Sequence, residues 1–452
     1  MSKYYHFIGI GGIGMSGIAQ LMLESGFKVS GSDLKENRIT HQLAGHGARI
    51  FLGHSAQNIS GQDVVVCSSA ITEDNPEVKQ ARALGLPVIR RAQALAQLMQ
   101  DKTAITVAGS HGKTTTTSLV SCMLMEAGLC PTVAIGGILN NIQTNACLGA
   151  GKFFVAEADE SDGSFLNYEP QYSIITNIDR EHLDYYHDFN RELDAFGQFI
   201  QRTKKGGVVF ACSDDLNLLK LMRAYQGKVV LFGFNDPADI RPRNIAFMDL
   251  ASDFDCYFKN KFIARFHLPL GGNHNISNAL GVIGLGMELG IDRERIRTSL
   301  AGYQGAGRRL EVKFRNDKYL VLDDYAHHPS EIKATLAAIA NLKAKRRLVI
   351  FQPHRFSRTQ LLLDDFATSF TQADQLIITD IYAASEKPIE GVDARALITK
   401  VKNANPSLEV IYLPKEEILL HLLVMIQEGD LVITLGAGDI VRVSDALSQK
   451  LK

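Results

Sequence analysis

Short, unbroken apolar runs alternate with stretches of helical periodicity along the chain. The first unit, "YYHFIGIGGIGMSGIAQLMLESG", reads as a short apolar strand, a glycine turn and a helix with Ile18, Leu21 and Met22 on one face. "FKVSGSD" follows as a second strand, and "VVVCSSAI" is a continuous apolar run suited to a buried parallel strand. "NPEVKQARALG" predicts a helix with Pro76 near its start and Gly85 at its end. "PVIRRAQALAQLM" leads out of this unit near residue 100. A second strand–loop–helix opening is "TAITVAGSHGKTTTTSLVSCMLMEAG". Strands "KFFVAEAD", "YSIITNID" and "GGVVFACSD", a helix around "FNRELDAFGQFIQRT" and a hairpin in "DFDCYFKNKFIARFHLPL" follow it. "GGNHNISNALGVIGLGMELG" is a glycine turn into a helix, and "GYQGAGRR" marks a boundary near residue 305. The third opening, "YLVLDDYAHHPSEIKATLAAIANL", precedes strands "RRLVIFQPHR", "QLIITDIYAA", "LEVIYLP" and "DLVITLGAG", again alternating with helices. Such alternation predicts parallel sheets with right-handed crossovers, in an α/β chain of three domains at 1–100, 101–306 and 307–452. In such sheets, ligands sit at the carboxyl ends of the strands.

Composition agrees with a globular protein: 452 residues, 46% hydrophobic and 21% charged. A net charge of -1 without a basic block argues against a nucleic-acid surface. No window holds 18 uninterrupted apolar residues, so no membrane span is expected, and the glycine-broken N-terminus does not read as a signal peptide. The 6 cysteines include no C-x-x-C pair and read as reduced thiols of a cytoplasmic protein.

Candidate chemistry gathers just after the strands. Gly9, Gly11 and Gly14, with Gly12 among them, match G-x-G-x-x-G between a strand and a helix, where a diphosphate would meet the positive helix end. Asp33 ends the second strand, placed to bind a ribose hydroxyl. By itself this motif points to a nicotinamide or flavin cofactor, or to no more than a tight turn. "GSHGKTTTT" contains Gly109, Ser110, His111, Gly112, Lys113, Thr114 and Thr115, but Val107 stands where a standard P-loop has its first glycine. A lysine on the first turn of a helix adds positive charge to the positive dipole end, a conflict that a triphosphate resolves. Lys113 would then reach the phosphates and Thr114 would offer its hydroxyl to Mg²⁺, so the central domain is of P-loop ATP-binding type. The alternative is a polar helix cap.

"VAEADESDGSF" gathers Glu157, Asp159, Glu160 and Asp162 after an apolar run, either as a Mg²⁺ site or as a solvated acidic loop. His182 in "NIDREHLDYY" is a structural histidine by itself and a metal-shell ligand in this company. The asparagines of "GGNHNISNAL" suit either recognition of a base or helix capping. "DDYAHHPSEI" holds Tyr325, His327 and His328; "QPHRFSRT" holds Arg355 and Arg358, whose forks bind carboxylate or phosphate.

Taken in order, "HFIGIGGIGMSGIA", "GSHGKTTTT", "EADESDGSF", "REHLDYY", "GNHNISNA", "GAGRR", "DDYAHHPSEI" and "PHRFSRT" resemble the Mur ligases, ATP-dependent amide-forming enzymes of peptidoglycan synthesis. The resemblance spans nearly the whole chain. It departs at Ser110, where the family usually has threonine, and it makes the loop without a first glycine the family's own form. It implies Rossmann-like N- and C-terminal domains around the ATP-binding one. It also implies ATP and one or two Mg²⁺ ions as cofactors, and UDP-N-acetylmuramate and L-alanine as partners of a monomer or weak homodimer. On this resemblance Lys113, Glu157, His182 and Arg358 are catalytic, with Thr114, Glu157 and His182 toward metal. Asn273, His274 and Asn278 lie on the adenine side. Gly9 to Gly14, Asp33, His54 and Ser69 bind the UDP sugar, and Tyr325, His327, His328, Arg355 and Arg358 meet the amino acid. A hinge near Gly305 and Gly307 is expected to let the third domain close. Alternatives are a ligase adding a preformed peptide to the same sugar nucleotide, a nicotinamide-dependent dehydrogenase, and a nucleotide-gated switch.

Overall fold

A computed structural model describes residues 2–68 and 70–452. Ser69, expected at the sugar-nucleotide site, lies outside the described residues. By packing, the chain divides into two compact units. One comprises 1–243, 255–266 and 277–304; the other comprises 244–254, 267–276 and 305–452.

The N-terminal sheet contains β1 (Tyr4–Ile8), β2 (Lys28–Asp33), β3 (Arg49–Leu52), β4 (Val64–Cys67) and β5 (Val88–Arg90), all parallel, in the order β3-β2-β1-β4-β5. Chain order reverses between β1 and β4, the topological switch at which Rossmann-like sheets open a crevice. Helix α1 (Ile13–Glu24) starts there and buries Ile18, Leu21 and Met22. Helices α2 (Arg38–Gly45), α3 (Pro76–Ala83) and α4 (Arg91–Met99) complete the layer. Asn75 caps α3 by accepting the Glu77 N–H, and Pro76 takes the first helical position, where no amide hydrogen is needed.

The second sheet has ten strands in the order β15-β14-β13-β12-β11-β10-β6-β9-β7-β8. They are β6 (Thr103–Ala108), β7 (Thr132–Leu139), β8 (Thr144–Cys147), β9 (Phe153–Glu157), β10 (Tyr172–Ile175), β11 (Val208–Cys212), β12 (Lys228–Phe232), β13 (Ile240–Met248), β14 (Ala251–Phe258) and β15 (Lys261–Leu268). Its centre, β10-β6-β9, is parallel, so the loops after these strands emerge side by side. Helix α5 (Lys113–Glu126) packs with Thr114 to Leu124 buried throughout. Below the acidic loop, Phe165 stacks on Phe199 at 4.8 Å and meets Phe196 edge-on at 5.3 Å. Each ring so buried contributes about 1.5–3 kcal/mol.

The third sheet, β16 (Glu311–Arg315), β17 (Leu320–Asp324), β18 (Arg346–Phe351), β19 (Gln375–Ile378), β20 (Glu409–Tyr412) and β21 (Asp430–Leu435), runs in the order β16-β17-β21-β18-β19-β20. The expectation of parallel sheets needs correction at the following pairs. β7 and β8 pair antiparallel, and so do β16 and β17. Gly136 and Gly137 interrupt the apolar alternation of β7, which hides that hairpin from a periodicity reading.

Candidate active site

The loop after β6 is built around two glycines. Gly109 has φ +130°, and a Cβ there would collide with Thr176 Oγ1. Gly112 has φ +83°, and a Cβ would come 2.6 Å from Asn278 Oδ1. Val107, in the position of the absent first glycine, is fully buried within β6, so the turn begins after it. The loop after β10 fastens this turn. Asn177 O accepts Ser110 N–H (3.1 Å), Asn177 Oδ1 accepts His111 N–H (2.9 Å), and Thr176 Oγ1 donates to His111 O (2.5 Å). His111 Nε2 lies 2.9 Å from Asp179 Oδ2. The first amides of α5 have no partner within the helix, which makes the turn a cradle for an anion.

Lys113 starts α5 and bends back over the turn. Its Nζ donates to Gly109 O (2.5 Å), Ser110 O (3.1 Å) and Glu160 Oε1 (2.7 Å). Burial opposes its charge, but Glu160 and Asp159 outweigh burial and raise its pKa. Of the following threonines, Thr116 and Thr117 are fully buried, and Thr117 Oγ1 bonds back to Lys113 O at 2.8 Å. Thr114 and Thr115 sit nearer the loop, and the Thr114 methyl packs on Gly137.

Three side chains from the loops after β9 and β10 converge beside Lys113. Glu160 is fully buried; Glu181 and His182 approach from the other side. His182 Nε2 lies 3.5 Å from both Glu160 Oε1 and Glu181 Oε2. One ligand atom from each of the three falls within 4.8 Å of the others. Burial disfavours an imidazolium, but the two carboxylates outweigh it and bring His182 up to about 9. Glu160 Oε2 is buried without a partner among the described residues. Carboxylate oxygens are hard donors suited to Mg²⁺. Glu157, expected in this role, accepts the Gly136 N–H at 2.9 Å, and the absent Gly136 side chain makes room for it. The structure therefore groups Glu160 and Glu181 with His182, and places Glu157 beside β7, where Thr114 also packs. Glu181 was missed because it reads as one more charge beside a histidine; Glu160 was one of four equivalent acids in sequence.

On the N-terminal sheet, the loops after β1 and β4 meet. A Cβ on Gly9 would lie 3.2 Å from Ser68 Cβ. Asp33 Oδ2 accepts the Gly11 N–H at 2.9 Å, so its carboxylate already braces the glycine turn. Arg91, at the head of α4, lies against Gly14 and pairs with Asp159 at 2.8 Å. Burial opposes ionisation of Asp159, but Arg91 and Lys113 hold it down at about 2. Arg91 thus joins the glycine turn after β1 to the acidic loop after β9, a role no motif announced.

Three comparisons with known proteins bear on this arrangement. Residues 4–103 match the Mur ligase family catalytic domain, 107–286 the Mur ligase middle domain, and 308–438 the Mur ligase glutamate ligase domain. The chain belongs to the Mur ligase family. It is 46% identical over 448 residues to UDP-N-acetylmuramate--L-alanine ligase of Geotalea uraniireducens (strain Rf4), covering 99% of this chain and 98% of that one. Against the enzyme of the same name from Aquifex aeolicus (strain VF5), it is 46% identical over 439 residues, 97% of this chain and 95% of the other. The crystal structure of UDP-N-acetylmuramate-alanine ligase from Thermotoga maritima superposes with TM-score 0.84 at 30% identity, over 99% of each chain. A murein peptide ligase from Psychrobacter arcticus 273-4 shares the fold, with TM-score 0.71 at 24% identity over 100% of this chain and 99% of that one.

In this Mur ligase the adenine-side expectations divide. Asn278, on the helix Asn273–Glu288, is buried against Gly112. Asn273 and His274 are counted with the other compact unit, where Asn273 is exposed and burial lowers His274 to about 4.

The C-terminal residues come together at the ends of β17, β21 and β18. His327 Nδ1 lies 3.0 Å from Tyr325 O and 3.1 Å from Glu331 Oε2, and His328 caps the helix Pro329–Ile339. Arg358 Nη1 donates to His354 Nδ1 at 3.1 Å. Burial, then neighbouring His327 and the nearby arginines, lower His354 to about 3. Its ring stacks on Tyr382 at 5.6 Å. Arg355, with φ +69°, directs its guanidinium to Glu386 at 3.8 Å. Arg308 and Arg309, which carried no expected role, both lie over the Tyr325 ring, at 5.2 and 5.1 Å. Arg308 also donates to Asp323 (2.9 Å) and to the Gly436 carbonyl (2.5 Å).

Proposed function

We propose that this Mur ligase joins L-alanine to the lactyl carboxylate of UDP-N-acetylmuramate, consuming ATP and releasing ADP and phosphate, in peptidoglycan precursor synthesis. The observation that carries the reading is Lys113 on the first turn of α5 beside Glu160, Glu181 and His182. The near-full-length likeness to L-alanine ligases supplies the substrates. Domain limits at 1–100, 101–306 and 307–452, a cytoplasmic setting and a monomer or weak homodimer belong to the same proposal.

A carboxylate does not condense with an amine at neutral pH, because oxide is a poor leaving group. In the first step a lactyl carboxylate oxygen attacks the γ-phosphorus of ATP. The bond to ADP breaks, and an acyl phosphate forms. In the second the amine of L-alanine attacks the acyl carbon and gives up a proton to solvent, and phosphate leaves with the bonding pair from the tetrahedral intermediate. Lys113 neutralises charge as two anions approach, a repulsion that otherwise blocks the first step. The amides of α5 hold the phosphates at the helix N-terminus. Mg²⁺, when bound, would supply further charge neutralisation at the transferred phosphoryl group, with Thr114 and Glu157 toward it beside β7 and with Glu160, Glu181 and His182, the last only once its ring has lost its extra proton, on the other side. Tyr325, His327, His328, Arg355 and Arg358 form the amino-acid side, where an arginine fork suits the alanine carboxylate.

Phosphate release from ATP tests the reading. Release is expected only when both UDP-N-acetylmuramate and L-alanine are present. Release from ATP alone favours a nucleotide switch. Release with the sugar nucleotide and a preformed peptide, but not L-alanine, favours the peptide-adding ligase.

A further inference from the structure

A fully buried carboxylate organises the polar residues beneath the N-terminal glycine turn. Glu77, on α3, accepts the Ser32 hydroxyl at Oε2 (2.6 Å) and the Asn58 amide at Oε1 (2.5 Å). His54 Nδ1 lies 3.2 Å from Glu77 Oε2 and 3.0 Å from Ser32 Oγ. His6 Nε2 is 3.6 Å from Glu77 Oε1. The Ser32 carbonyl accepts the N–H groups of Gly9 (2.8 Å) and Ile10 (3.0 Å). One residue thus touches both the glycine turn and the Glu77–His54 pair. Burial opposes the charge on Glu77, but nearby His6 and the hydrogen bonds from Ser32 and Asn58 hold its carboxyl below the usual range.

A carboxylate only accepts hydrogen bonds, so the proton of a neutral His54 ring must sit on Nδ1. Nε2 then carries the lone pair. Among the described residues Nε2 has no hydrogen-bond partner, and it is not one of the unpartnered atoms sealed in the interior. A uracil ring presents an imide N–H between two carbonyls, whereas cytosine presents an acceptor at the same ring position. A fixed lone pair therefore pairs with the first and repels the second.

We propose that Glu77 is a positioning residue that locks His54 in the Nδ1–H tautomer, so that Nε2 accepts the imide N–H of uracil and selects a uridine over a cytidine nucleotide. This rests on the reading of the N-terminal sheet as the UDP-sugar site. The physical parallel is any site in which a buried acid fixes an imidazole tautomer, where the amide variant keeps the shape and loses the tautomer.

The test is calorimetric binding of UDP and CDP to the full chain and to Glu77→Gln, Ser32→Ala and His54→Ala, with steady-state kinetics and ¹⁵N spectra of the histidine rings. UDP should bind the unmodified enzyme at least about tenfold more tightly than CDP. Glu77→Gln should weaken UDP about tenfold, narrow the UDP/CDP ratio and lose the Nδ1–H signature of His54, while kcat at saturating sugar nucleotide and KM for ATP stay unchanged. Ser32→Ala, which keeps the charge, should show a smaller loss of the same kind. Unchanged UDP affinity in a folded Glu77→Gln, equal binding of CDP by the unmodified enzyme, or a uniform fall of all constants with thermal stability would each overturn the proposal. If His54→Ala also leaves UDP affinity intact, the placing of His54 in the UDP site fails as well. If only His54→Ala weakens UDP, the site stands and the positioning role falls.

Discussion

Lys113 Nζ lies 2.7 Å from Glu160 Oε1, and the carboxylate of that pair is fully buried. Neither group is free of the other: the lysine sits at a positive helix end, and the carboxylate lies in an interior that the lysine and His182 make tolerable to it.

Lys113→Ala therefore acts twice. Loss of one preorganised charge should lower kcat by roughly 10²–10³ or more. Leaving Glu160 buried without its cation should cost about 3–5 kcal/mol of stability. Phosphate-release kinetics and urea unfolding separate the two, and near-normal turnover in the folded variant would remove Lys113 from the phosphate site.

His182 makes stability depend on pH. Its folded value of about 9 stands above its ordinary 6.5. The contribution is therefore fully present below about pH 6.5 and is lost as pH rises through about 9. Glu192, lifted by burial to about 8, acts in the same direction, since the folded state binds its proton more tightly. Urea unfolding should show stability falling between about pH 6.5 and 9, by at most roughly 3 kcal/mol from His182. His182→Gln should flatten that slope; an unchanged slope would mean the imidazolium is not held by Glu160 and Glu181.

Thr114 and Thr117 should behave differently although both belong to the same run. Thr117 is buried and bonds to the helix carbonyl of Lys113. Thr117→Val should change stability by about 1 kcal/mol with KM for ATP unchanged. Thr114→Val should raise the Mg²⁺ concentration needed for half-maximal activity by about tenfold. The reverse pattern would move the phosphate contact one turn along the helix.

Gly109→Ala should cost about 1–3 kcal/mol, because φ +130° is poorly available to alanine and its methyl meets Thr176 Oγ1. Thr176→Gly in the same chain removes the Thr176 contact but leaves the Asn177 carbonyl 2.9 Å from the methyl and the backbone strain in place, and it loses the bond to His111 O, so thermal unfolding should show partial rescue at most. Complete rescue would show that the backbone angle is not restrictive.

How much of this was legible in sequence follows from what each feature depends on. Strand-then-loop-then-helix patterns announced the three sheets, since burial on both faces writes itself as apolar runs. The β7–β8 hairpin escaped because Gly136 and Gly137 erase the alternation, and those glycines exist for Glu157 and Thr114, which are distant in sequence. Asp33, expected to bind a ribose hydroxyl, also accepts the Gly11 N–H, a contact between two loops that spacing does not encode.

Local order therefore determined which residues could carry chemistry: a lysine at a helix start, acids after a strand, a glycine turn before α1. The tertiary structure decided which of them act together. It selected Glu160 and Glu181 from a field of similar acids and set Arg91 between Gly14 and Asp159. It also buried Glu77 under His54. The reason is physical. Whether a carboxylate is an ordinary surface charge or a partner for a cation depends on its burial and on groups within a few ångströms, and those neighbours come from strands far apart in the chain.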